Sequence, residues 1–175
     1  MAELTSRDRL QPSLLDRLID HEPQNTQEPV EARVLSHKQL RAAVLRDLSW
    51  LFNTTRPEPE PRSERLEERE LWRSAEQARR SVANFGVPAF AGVTLSTLDA
   101  NTIESAVAEA ITHFEPRIDP RTLQVEMKKL AENHHNMLQL IIRGRMWAQP
   151  VPLELLLSAD VDVETGNTRV RELRA

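Results

Sequence analysis

The chain has 175 residues, 39% of them hydrophobic and 29% charged, which suits one compact domain with a tail. Its net charge of −4, with acids and bases well mixed, leaves no electrostatic footprint for nucleic acid and no reason to seek anionic membrane surfaces. The absence of cysteine excludes disulfides, thiolate nucleophiles and cysteine zinc sites, and fits a reducing cytoplasm.

The opening Met1-Ala2-Glu3-Leu4 leads into no apolar core, and no apolar run approaches ~18 residues, so neither an export signal nor a membrane span is expected. Residues 1–35 read as a tail carrying one sticky element. In Pro12-Ser13-Leu14-Leu15-Asp16-Arg17-Leu18-Ile19, Pro12 and Ser13 suit a helix start, and Leu14, Leu15, Leu18 and Ile19 would share one face. So short a helix has to dock, either on its own chain or on a partner. A polar stretch from His21 to Glu31, with Pro23 and Pro29, is expected to be extended.

Ser36 opens a stronger helix, with Gln39 completing a capping box. Leu40, Val44, Leu48, Leu51 and Phe52 recur at helical spacing until Asn53-Thr54-Thr55. Pro57-Glu58-Pro59-Glu60-Pro61 is a stiff spacer. A third helix is expected from about Ser63, with a thin seam of Leu71, Ala75, Ala78 and Val82, stopped by Gly86 and Pro88. After a loop through Phe90 and Gly92, Ser96 and Asp99 introduce a fourth helix with Ile103, Val107, Ala110, Ile111 and Phe114 on one stripe.

Beyond residue 120 the period falls to two. Leu123, Val125 and Met127 alternate with Gln124, Glu126 and Lys128. Asn133-His134-His135-Asn136 reads as a loop, followed by a strand with Leu138, Leu140, Ile142 and Met146 on one face and Gln139, Arg143 and Arg145 on the other. Odd positions from Val151 to Val163 are apolar, and Gly166-Asn167 turns the chain into a last short strand near Arg169 and Val170. Helices first and strands last predict an α+β fold, with N-terminal helices packed on one face of a C-terminal antiparallel β-sheet.

The sequence carries little that points to catalytic chemistry. Four scattered glycines build no phosphate or dinucleotide loop. His134 and His135 are adjacent, and His21, His37 and His113 are isolated, so no metal ligand set or cofactor site is assigned. Glu115 stands out because Pro116 ends the helix there, which leaves a carboxylate near the negative end of the helix dipole. A locally unfavourable residue has to be compensated, by an ion pair with Arg117 or another nearby arginine, or by a contact in a second protein.

At this corner the sequence resembles the lysozyme-like family of phage baseplate wedge proteins, in particular the TssE group of type VI secretion baseplate subunits. Four segments in the same order carry the likeness: Pro12 to Leu18, Val44 to Thr54, Ser81-Val82-Ala83-Asn84-Phe85-Gly86, and Glu115-Pro116-Arg117. The resemblance makes residues 36–175 the wedge domain, with 56–73 a charged, proline-rich variable segment. It implies a cytoplasmic baseplate associated with the inner membrane. Partners would be other wedge subunits and sheath subunits, with the spike or tube base as a further candidate, and neither nucleic acid nor membrane insertion. The family's sheet is implied to accept strands from the first sheath ring. Glu115, Pro116 and Arg117 are the implied partner-binding motif. Leu14, Leu15, Leu18, Arg143 and Arg145 are further candidate contacts, with ordinary solvation the rival reading for the two arginines.

The family name raises a second reading, a peptidoglycan glycosidase. No Glu in the chain has Asp or Cys nine positions on. Gln11, Asp20 and Thr26 match the phage-lysozyme spacing, but the amide of Gln11 offers no proton to a leaving group. A third reading, a nucleic-acid or general adaptor module, has only three Trp and four Phe for base stacking. A non-enzymatic assembly subunit is therefore the expectation.

Overall fold

A computed structural model describes residues 13–19, 23–24, 35–59, 63–90, 99–129, 137–147 and 152–173. Pro12, the polar stretch after His21, Pro61, Gly92, Ser96, the loop at residues 133–136 and Val151 lie outside these described residues, apart from residues 23–24, a turn.

The elements run α1 (Leu14–Leu18), α2 (His37–Phe52), α3 (Leu66–Ser74), α4 (Glu76–Arg79), a 3-10 turn (Val82–Asn84) and α5 (Ala100–Phe114), then β1 (Gln124–Lys129), β2 (Met137–Met146), β3 (Leu153–Asp162) and β4 (Thr168–Glu172). The strands form one antiparallel sheet in the order β1-β2-β3-β4. Helices thus precede strands, as the change of period predicts. The register follows the apolar alternation: Val125 faces Ile142, Leu140 faces Ala159, and Ala159 faces Val170. A slip of one residue would turn all of these away from the core.

Helix α2 is capped as expected, with the Ser36 hydroxyl accepting from Gln39 N–H and the Gln39 side chain accepting from Ser36 N–H. Leu40, Val44, Leu48, Leu51 and Phe52 are buried, and α5 adds Ile103, Val107, Ala110 and Ile111. These stripes meet Leu138, Leu140, Ile142, Leu157, Ala159 and Val161 in one core. Among the described residues no helix is long and apolar enough to cross a membrane.

The third helix departs from expectation. It breaks at Ala75 into α3 and α4 and ends in the 3-10 turn. Its seam does not reach the core: Leu71 is 67% exposed and Val82 84% exposed, and α3 buries no residue. Polar bonds hold the segment instead. Glu58 accepts from Arg79 Nε at 2.8 Å and from Asn84 Nδ2 at 2.9 Å, and Asn84 accepts from Glu58 N–H at 3.1 Å. Four small or isolated apolar residues cannot outweigh the solvation of so many charges.

Gly86 closes this turn at φ 130°, where a side chain would be strained. A Cβ there would lie 2.4 Å from Thr54 O. Val87 N–H donates to Thr54 C=O at 2.9 Å and Arg56 N–H to Val87 C=O at 3.0 Å. The glycine lets the turn lie against the end of α2.

Candidate assembly site at the helix-to-sheet corner

Helix α5 ends at Glu115, whose N–H still donates to Ile111 C=O at 2.8 Å. Pro116 is exposed. Arg117 and Asp119 then run beside the end of β2: Trp147 N–H donates to Arg117 C=O, and Asp119 N–H donates to Arg145 C=O, both at 2.8 Å. The corner is thus welded to the sheet through backbone bonds on either side of Ile118.

Glu115 is 1% exposed. Its carboxylate accepts from Arg117 Nε at 2.6 Å, from Arg117 N–H at 3.2 Å and from Arg117 Nη2. The same Nη2 donates to Asp47 of α2. Asp47 also accepts from Arg46 Nε at 2.8 Å, and Arg46 Nη2 lies 2.8 Å from Asp16 Oδ1 of α1. Arg117 Nη1 is 3.9 Å from Asp16 Oδ2. Three carboxylates from α1, α2 and α5 therefore surround two guanidinium groups. Arg46 Nη2 and Arg117 Nη1 are buried without an aligned hydrogen bond, so their attraction to Asp16 is electrostatic rather than directional.

Burial opposes the charge on Arg117, but Glu115 and then Asp47 outweigh it and raise its pKa further above the ordinary arginine value. Burial likewise opposes ionisation of Asp16, and the Ser13 hydroxyl and Arg46 overcome it, so its pKa is lowered. Neither Asp47 nor Asp16 carries a local sequence signal for this role. They reach Arg117 only because the core stacks α2 beside α5 and α1 docks on both.

An apolar groove of about 220 Å³ lies next to the charges, lined by Leu15, Leu48, Trp50, Leu51, Phe85 and Phe114, with Asp47 and Glu115 at its border. Phe85 and Phe114 meet edge to face at 5.1 Å, and the Arg46 guanidinium lies 5.3 Å over the Trp50 ring. Helix α1 does not bury one face made of all its apolar residues. Leu15 turns to the groove, while Leu14 is 75% exposed and Leu18 72% exposed. Its capping box with Asp16 and the Asp16 ion pairs orient it.

Arg143 and Arg145 are exposed on the face of β2 opposite the helices. Arg145 is tied to the corner by its backbone, donating to Thr122 Oγ1 at 2.9 Å and accepting from Asp119. The structure thus brings Leu15, Glu115 and Arg117 together, sets Arg145 behind them, and leaves Leu14 and Leu18 facing outward.

Both sheet margins carry side-chain caps. Glu104 of α5 accepts from Met127 N–H of β1 at 2.8 Å. At β4, Asn53 Oδ1 accepts from Thr168 N–H at 2.9 Å while Asn53 Nδ2 donates to Thr168 C=O at 2.8 Å.

No curated protein and no solved structure matches the chain. A family model described as baseplate wedge protein gp25 matches residues 38–151, a span that runs from the first turn of α2 past the end of β2 and holds Asp47, Glu115 and Arg117. With well over half of its length inside that match, this chain belongs to the baseplate wedge protein family and has the structural, assembly-forming role of that family.

Proposed function

We propose that the protein is a baseplate subunit of a type VI secretion machine, in which it anchors and starts assembly of the contractile sheath by accepting strands on its β-sheet. The observation that carries this reading is an open four-stranded antiparallel meander, order β1-β2-β3-β4, in a wedge-family chain. An open meander keeps two margins with backbone groups that an incoming strand can satisfy. The reading is non-enzymatic. Both oxygens of Glu115 are engaged by Arg117, so this carboxylate is committed to holding the corner rather than to a sugar.

In this role the Glu115-Pro116-Arg117 corner fixes the angle between helices and sheet and contacts neighbouring wedge subunits through its outer rim. Pro116, Leu14 and Leu18 are the exposed residues of that rim, and Arg143 and Arg145 offer a further exposed contact on the opposite face of β2. Leu15 contributes through the groove it lines. The bacterial cytoplasm, at the inner-membrane baseplate, is the proposed location.

Purification of the tagged chain from a native lysate tests the reading. Wedge and sheath subunits are expected to accompany it. Leu14→Ser with Leu18→Ser, both on exposed positions, is expected to lower wedge recovery without changing the thermal midpoint. Arg143→Glu with Arg145→Glu is expected to do the same. Recovery of neither kind of partner, or clearing of purified cell walls by the isolated protein, would overturn the proposal.

A further inference from the structure

The two sheet margins are not equivalent. At the two ends of β4, Leu173 N–H donates to Leu156 C=O and Asn167 C=O accepts from Asp162 N–H, both at 2.9 Å. Odd-numbered residues therefore turn their backbone groups toward β3, and Thr168, Val170 and Glu172 turn theirs outward. The Asn53 amide takes both outward groups of Thr168, the donor and the acceptor, as one residue of a further strand would. Among the described residues, the outward N–H and C=O of Val170 and Glu172 have no recorded partner. At β1 the cap is different in kind: Glu104 places a lone carboxylate in the middle of the strand, where it faces the carbonyls an incoming strand would bring.

The helix side of the β4 margin is built as a floor. Arg41, Leu45, Ser49 and Asn53 recur every four residues and form one stripe of α2. Its ends are pinned to β4, by the ion pair of Arg41 with Glu172 and by Asn53 at Thr168. Leu45, in the stripe, packs against the core and is only partly buried. On the other face, Arg169 and Arg171 are exposed, Arg171 pairs with Asp160, and no ion pair of Arg169 is recorded among the described residues.

We infer that the β4 margin is the strand acceptor, and that Asn53 sets its register by filling the Thr168 position so that a partner strand pairs with Val170 and Glu172. The inference rests on the strand-addition reading above. The occupant is an extended segment of another protein, the sheath subunit under that reading, with an apolar side chain toward Leu45 and acidic side chains opposite Arg169 and Arg171. A second copy of this chain does not fit. Antiparallel pairing of two β4 strands about Val170 would set Arg169 against Arg171 of the other copy, which like charge disfavours.

Amide exchange read residue by residue, in the free protein and in its complex with co-expressed sheath subunit, tests this. In the free protein Thr168 is expected to exchange slowly, and Asn53→Ala to speed it by on the order of tenfold. In the complex, Val170 and Glu172 are expected to become protected while Val125 of β1 stays unchanged. Val170→Pro removes an outward N–H, which an edge position tolerates, and trims a side chain that packs on the core; it is expected to cut sheath recovery by about tenfold with the thermal transition retained at a somewhat lower midpoint. A complex that protects Val125 and leaves Val170 and Glu172 unchanged overturns the inference and keeps the broader reading. A β4-paired dimer of the chain also overturns it. No sheath complex at all overturns both.

Discussion

At the scale of single residues, the corner is a matter of matched burial. A carboxylate with 1% exposure is tolerable only while a cation and aligned donors stay with it, and Arg117 supplies both. Arg117→Ala is expected to cost about 3 kcal/mol, because it strands Glu115 and leaves Asp47 with Arg46 alone. Arg117→Lys should cost about 1–2 kcal/mol, since a single ammonium cannot span Glu115 and Asp47 as the planar guanidinium does. Urea midpoints of the two variants against the parent check the order; equal losses would mean that geometry contributes nothing. Asp16 adds a pH dependence. Its folded pKa is depressed, so its attachment stabilises the protein above the ordinary carboxylate range and is lost as pH falls through the folded value. Amide exchange of α1 between neutral and acidic pH should therefore show its release while the sheet amides remain protected. The site was half legible beforehand. Glu115 announces itself as an acid at a helix end before proline, and Arg117 is its nearest cation. Asp47 and Asp16 do not, because their proximity depends on three elements meeting.

At the scale of elements, legibility followed the strength of the apolar period. The stripe of α2 and the alternation of β2 and β3 each put large side chains wholly inside the core, so pattern and burial agree. The stretch from Leu66 to Asn84 fails as one helix because its few apolar residues find nothing to pack against, and polar contacts of Glu58, Arg79 and Asn84 decide its course. Helix α1 was legible in its start and not in its orientation, since an ion pair rather than an apolar face aims it. Two substitutions separate local from packed contributions. Ser36→Ala removes the hydroxyl half of the cap from an exposed helix start, keeping the N–H that donates to Gln39, and should cost about 1 kcal/mol. Gly86→Ala forces a side chain onto the Thr54 carbonyl at a φ that excludes it, and should cost about 2–3 kcal/mol. Chemical denaturation measures both, and a smaller loss for Gly86→Ala than for Ser36→Ala would mean that the turn relaxes at little cost.

At the scale of the whole molecule, the core and the tail are held by different forces, and they should separate when the tail is removed. The core joins α2, α5 and all four strands through apolar contact, and none of its buried members comes from α1. Among the described residues of the tail, α1 is held by Asp16 between Arg46 and Arg117 and by Leu15 at the groove. Deleting residues 1–34 is therefore expected to leave the cooperative transition and its urea slope nearly intact, with a loss of about 1 kcal/mol from partly exposed ion pairs. Removing Asp16 also leaves Arg46 and Arg117 facing Asp47 and Glu115 alone, which changes the corner from a surplus of negative charge to balance. A rim with neutral balance, no Leu14, no Leu18 and an emptied groove presents a different surface from the parent at unchanged fold. If wedge subunits are captured at that rim, the deletion lowers their recovery while the strand-accepting margin at β4 keeps its hold on sheath. Loss of both partners together, or of the thermal transition itself, would mean that α1 is part of the folding unit and that the molecule does not divide its contacts in this way.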